Sequence, residues 1–142
     1  MRIYTDIKLK GASNEIIINA LIDSGAEISL MPLRIAQNIG AWKTNEYIDI
    51  KSVHEEIKEC SIIIAELYFI SLNLVGGQFR FAMSDVAKEV IIGMDILKPL
   101  GITIDTKSNS LSIKNEILEA FKTLSTVGVI TYGTIKLLDW LS

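Results

Sequence analysis

Ala20-Leu21-Ile22-Asp23-Ser24-Gly25-Ala26 decides how the rest of this chain is read. Residues 15–22 form an apolar run that reads as a mostly buried β-strand, and Asp23 is the one ionisable residue at its end. Strand interiors are depleted in Asp, and a carboxylate taken out of water without partners is costly. Ser24-Gly25 directly after it supplies a hydroxyl and a backbone able to turn sharply or approach another chain closely. Together these features make Asp23 a candidate catalytic carboxylate. The plainer alternative is a turn aspartate with no chemistry.

Working outward, the chain holds one cysteine, Cys60, and one histidine, His54, in 142 residues. An intrachain disulfide and a cysteine-built or multi-histidine metal site are thereby excluded, and no metal or cofactor is expected. Two carboxylates sharing one proton can hydrolyse a peptide bond without any of these. One acts as base toward water and the other as acid toward the carbonyl oxygen, because like charges that close do not both ionise. The chain has a single Asp-Ser/Thr-Gly; the nearest second candidate, Asp105-Thr106-Lys107, lacks the glycine and falls in a polar turn. A dyad would therefore need two chains, each supplying one Asp23 at a two-fold axis.

Length and composition fit one compact domain with a sizeable core. The apolar fraction is 49% and the mean hydropathy +0.37, so much of the Ile and Leu must be covered by a core, an interface or a membrane surface. A net charge of −3 and a pI near 5.2 leave no basic footprint for nucleic acid. Met1-Arg2-Ile3-Tyr4-Thr5-Asp6 lacks the long apolar segment of a signal peptide, which predicts a cytoplasmic protein.

Taken in order, residues 3–9 alternate apolar and polar, and Gly11-Ala12-Ser13-Asn14 turns the chain into 15–22, making a hairpin. After Asp23, residues 27–31 read as extended and 32–38 as a short helix, with Pro32 at its start and Gly40 at its end. Residues 47–51 alternate again before the polar tip Ser52-Val53-His54-Glu55-Glu56. Residues 57–74 are strand-like but long, which predicts a bend near Ala65 or Glu66; Gly76-Gly77 reads as a hairpin turn into 78–83. Residues 89–93 form a short apolar strand ending in glycine, and a helix opens at Met94 and is limited by Pro99. A closing hairpin spans 102–113. The last stretch differs: Asn115 caps a helix with Ile117, Leu118, Phe121 and Leu124 on one face, and 135–141 reads as a second short helix.

On its own Asp-Ser-Gly is a short motif. Its context is what sharpens it: about seventy residues later comes Val90-Ile91-Ile92-Gly93-Met94-Asp95-Ile96-Leu97. With Ala20 to Ala26, Ile91-Ile92-Gly93 and a β-hairpin between them, the sequence resembles the retropepsin family, the retroviral aspartic proteases and their cellular relatives. Glycine followed by Met94-Asp95-Ile96-Leu97 looks closer to cellular members. The resemblance implies a mainly β, closed-barrel acid-protease fold with two short helices over residues 1–113. Residues 114–142 have no counterpart in the minimal family domain and read as a helical C-terminal extension packing on the dimer. It further implies an obligate homodimeric endopeptidase acting on extended peptides or unfolded polypeptide. Asp23 takes the catalytic role, and Ser24 carries a hydroxyl that bonds across the dimer. Gly25 and Ala26 line the site, and Ile91, Ile92 and Gly93 support it. Ser52, Val53, His54 and Glu55 fall in the flap that covers substrate.

Departures accompany the resemblance. The flap stretch 52–56 has no glycine, and Met94 stands where viral enzymes often carry Arg. A catalytically inactive dimerisation or peptide-binding module on the same fold is therefore the alternative. His54 reads as a solvated loop residue, Cys60 as a small strand residue, and Glu55-Glu56 as a solvated tip. Trp140 with Leu137, Leu138 and Leu141 could meet a membrane, but Lys136 and Asp139 give no basic face, so burial against a partner subunit is the preferred reading.

Overall fold

The computed structural model describes residues 1–51, 56–114, 116–117 and 119–120. The chain opens with β1 (Arg2–Lys10) and β2 (Glu15–Asp23), an antiparallel hairpin in register from Arg2 opposite Asp23 to Lys10 opposite Glu15. The period-2 pattern works as expected: Ile3, Ile7 and Leu9 are buried while the residues between them are more exposed. Next come β3 (Leu30–Pro32), α1 (Leu33–Ile39), β4 (Trp42–Lys51), β5 (Ile57–Phe69) and β6 (Val75–Ser84). They are followed by β7 (Ile91–Ile92), α2 (Met94–Leu100), β8 (Ile102–Asp105) and β9 (Ser110–Ile113).

Seven strands form one sheet in the order β1-β2-β7-β3-β6-β5-β4, and a further pairing of β1 with β5 closes all but β4 into a ring. This is the mainly β, closed fold with two short helices that the sequence pointed to. Its main core is a large cluster that includes the fully buried Ile7, Leu9, Ile22, Met31, Ile39, Leu67, Phe69, Ile92 and Leu100. Both helices end where a glycine takes up left-handed geometry, Gly40 at φ 67 and Gly101 at φ 65. The two-stranded β8–β9 hairpin stands apart from the ring as its own sheet.

Four local expectations are corrected. Gly76 and Gly77 are not a turn; they sit within β6 opposite Tyr68 and Leu67. The reversal is made by a 3-10 turn at Ile70–Leu72, followed by Asn73 and Leu74 at φ 56 and 64. Gly76 is needed for close approach instead, since a Cβ there would lie 1.8 Å from the Leu67 carbonyl oxygen. Second, the strand predicted over 57–74 ends at Phe69, and near Ala65 it changes neighbour: β4 pairs up to Ile64 and β1 takes over at Glu66. Third, β4 starts at Trp42, well before residue 47, because an edge strand tolerates the exposed polar residues Lys43, Asn45 and Glu46. Fourth, α2 continues through Pro99 to Leu100 and stops at Gly101. Proline late in so short a helix loses only one backbone bond, the one to Asp95.

Past β9, Glu116, Ile117, Glu119 and Ala120 are helical, and Ile117 is buried in the main core. The expectations for Asn115, Leu118 and residues 121–142 lie outside the described residues. Among the described residues no helix is long and apolar enough to cross a membrane.

Candidate active site

The two motifs meet because β7 inserts between β2 and β3. It runs parallel to β2, with Leu21 opposite Ile91 and Ile22 opposite Ile92, and antiparallel to β3 at Leu30. The Leu21 N–H is satisfied by the Val90 carbonyl at 3.0 Å. Ala20, Leu21 and Ile22 are buried at 0, 2 and 0% exposure, while the Asp23 side chain emerges at 22%. A carboxylate is thereby presented directly after the buried end of β2, whose first half, Glu15 to Asn19, is more exposed than a mostly buried strand would be.

Its immediate partners are local. Asp23 Oδ1 accepts the Gly25 N–H at 2.8 Å, and the Asp23 carbonyl accepts the Ala26 N–H at 3.2 Å, a tight turn built on the aspartate itself. A Cβ on Gly25 would come within 3.2 Å of Asp23 Oδ1. Asp23 Oδ2 faces Arg2 Nε at 3.8 Å, a long pair with the Arg2 side chain 64% exposed and hence weak. Ser24 donates its N–H and its hydroxyl to the Met1 carbonyl at 3.0 and 3.2 Å, so within one chain its hydroxyl is already engaged.

Gly93 abuts this loop. A Cβ there would lie 2.6 Å from the Ala26 carbonyl oxygen, which is itself bonded by the Met94 N–H at 2.8 Å. The pairing of Asp23-Ser24-Gly25-Ala26 with Ile91-Ile92-Gly93 is thus physical contact. Sequence reasoning missed two residues here, Ser29 and Asp95. Ser29 is fully buried; its N–H donates to Asp95 Oδ2 at 3.0 Å, its hydroxyl donates to Asp95 Oδ1 at 2.6 Å, and its Oγ accepts the Gly93 N–H at 2.9 Å. A hydroxyl between Ile28 and Leu30 was the available signal, since a buried polar group needs a partner.

Asp105, the alternative carboxylate, sits exposed at the β8–β9 turn and caps it, accepting the Lys107 and Ser108 N–H groups at 3.0 and 3.4 Å. Its hydrogen bonds with Ser108 hold its carboxyl below the ordinary range. Among the described residues no group of three or more His, Cys, Asp or Glu is arranged to hold a metal.

The expectations for Ser52, Val53, His54 and Glu55 lie outside the described residues; the ladder on either side of them closes at Lys51 opposite Ile57. At the base of that hairpin lies a second apolar cluster of buried Cys60, Ile62 and Ala82, with half-buried Ile28, Leu30, Ile48 and Ile50 around it. Burial pushes the Cys60 thiol up, away from thiolate chemistry. Lys58 Nζ bonds Asp85 Oδ1 at 2.7 Å, tying the hairpin to the β6–β7 connection. This bond holds the Asp85 carboxyl below, and the Lys58 ammonium above, their usual ranges. A cavity of ≈ 500 Å³ opens between α1 and the same connection, lined by Pro32, Arg34 and Val86 among others, and includes none of the Asp23 loop.

Comparison with known proteins gives this arrangement its class: a retropepsin-like domain. No family model matches the chain. The Protein DDI1 homolog of Leishmania major is 31% identical over 105 residues, which is 72% of this chain and 26% of that protein. The chain therefore spans about a quarter of that relative's length. The crystal structure of the retroviral protease-like domain of Ddi1 from the same organism matches with a TM-score of 0.57 and 27% identity, over 81% of this chain and 89% of that one. The EIAV protease in complex with an inhibitor matches in fold, with a TM-score of 0.56 and 19% identity over 74% and 93% of the two chains. The chain is a homologue of the retroviral protease-like domain of Ddi1, closer to that cellular type than to viral enzymes.

Proposed function

We propose that this domain is a homodimeric aspartic endopeptidase in which two Asp23 carboxylates, one from each chain, share a proton and activate water for attack on a peptide carbonyl. The observation that carries it is Asp23 itself. The carboxylate follows three buried residues, accepts the Gly25 N–H, and begins a loop that packs at Ala26 against Gly93 of the second motif. One chain supplies only one such aspartate, so a two-fold axis is the economical way to pair it. An extended polypeptide lying between the loop and the β4–β5 hairpin would meet the half-buried Ile28, Leu30, Ile48 and Ile50, which suits aliphatic side chains.

The test is cleavage of a denatured protein or peptide library at about pH 3–6, the range set by a shared-proton carboxylate pair. Wild type should cut with a bell-shaped pH dependence, and Asp23→Ala should not cut while remaining dimeric. Undiminished proteolysis by Asp23→Ala would end the reading. The second reading, a non-catalytic peptide-binding or dimerisation module, is favoured by the glycine-free stretch 52–56. Absence of cleavage at every pH, with retained binding of extended peptides, would select it.

A further inference from the structure

We propose that Asp95 is a positioning residue for the loop that presents Asp23. Its carboxylate clamps Ser29 and, through the Ser29 hydroxyl, the Gly93 N–H. The inference rests on reading Asp23 as the catalytic aspartate.

Residues 24–29 join β2 to β3 without regular structure. Their far half is tied down by the bond from Met94 N–H to the Ala26 carbonyl, by that from Ala82 N–H to the Ser29 carbonyl at 3.0 Å, and by the Ser29–Asp95 contacts. Only the last tie depends on side chains. Ser29 is buried at 0% exposure, so water is not available to replace a lost partner, whereas Asp95 lies on the exposed side of α2. The proton directions follow from the donors present. The Gly93 N–H donates to Ser29 Oγ, and the Ser29 O–H and N–H donate one to each oxygen of Asp95.

That pattern requires a carboxylate. A carboxamide offers one acceptor oxygen, so Asn would turn its NH₂ toward an Oγ that already accepts from Gly93, and one Ser29 donor would go unpaired. Release at this point reaches the active loop by a short route. Gly93 packs without a Cβ against the Ala26 carbonyl, three residues from Asp23. Displacements of about 1 Å at a reacting group are enough to cost large factors in rate.

The experiment uses the full chain, measuring peptide cleavage together with amide hydrogen exchange for wild type, Asp95→Asn, Ser29→Ala and Ser29→Thr. Asp95→Asn and Ser29→Ala should lower kcat about 10-fold or more with KM changed less than about 2-fold. Exchange should quicken at Ser29, Gly93 and Met94 and stay unchanged at Leu67 in β5. Ser29→Thr, which keeps the hydroxyl, should retain more of kcat than Ser29→Ala. Wild-type kcat and wild-type exchange in Asp95→Asn would overturn the proposal. So would a rise in KM alone, or faster exchange throughout, Leu67 included, which would mark a role in general stability. A wild-type chain inert at every pH, with the three amides still freed in Asp95→Asn, would remove the catalytic reading of Asp23 while leaving the clamp in place.

Discussion

The end of β2 and the end of the β4–β5 hairpin are both places where strands reach the rim of the fold, yet they are built oppositely. β2 is flanked by β1 and β7, and the three residues before Asp23 are buried. In β5, residues 57–61 pair with β4 alone, because β6 joins only at Ile62. Tyr47 and Ile57 on that two-stranded arm are 63 and 68% exposed. On the proposed function, the carboxylate that must keep a fixed geometry is carried by the first kind of scaffold and the substrate cover by the second.

This contrast can be broken in order of effect. Asp23→Asn should cost at least about 10³-fold in cleavage rate, the upper range of acid–base contributions, while urea unfolding shows little change. Truncating the supports should do the reverse. Ile92→Ala, at 0% exposure beside Ile22, should lose about 2–5 kcal/mol of unfolding free energy. Ile50→Ala, half-buried on the arm, should lose about 1 kcal/mol or less. Equal losses at the two positions would erase the distinction between scaffold and arm.

Gly93→Ala comes next. Its Cβ would press on the Ala26 carbonyl at 2.6 Å, so the loop must move; a cost of about 1–3 kcal/mol and a fall in rate should appear together. The smallest effect concerns the Lys58–Asp85 tie between arm and β6–β7 connection. Asp85 titrates lower when folded, so its stabilisation is present above the unfolded carboxylate value of about 4 and is lost as pH falls through the lower folded one. Lys58 titrates higher when folded, so its share is present below the unfolded lysine value and is lost as pH rises through the folded one. Urea curves of wild type and Asp85→Asn should therefore differ near neutrality and converge in strong acid. A gap that persists there would assign the difference to something other than this pair.

Legibility followed the range of the interactions. The β1–β2 hairpin, α1 with its Gly40 stop, and the short strand at Ile91-Ile92 could be read because apolar period, turn residues and capping glycines lie within a few residues of what they specify. The helix at Met94 was legible at its start but not its end, since a late Pro99 interrupts less than an early one. Gly76-Gly77 was misread because two glycines look alike whether the backbone must reverse or approach Leu67 closely.

By itself the sequence determined the candidate carboxylate and the mainly β character, because each is written in local chemistry: one charge after an apolar run, and period-2 alternation. The partnership of Asp23 with the segment around Gly93 came from the family resemblance. Tertiary structure alone decided that β5 changes partner at Ala65, that β7 lies between β2 and β3, and that Ser29 is held by Asp95 across 66 positions of sequence. Those facts depend on which distant backbones meet, and no local pattern encodes the need of a buried hydroxyl for one particular carboxylate.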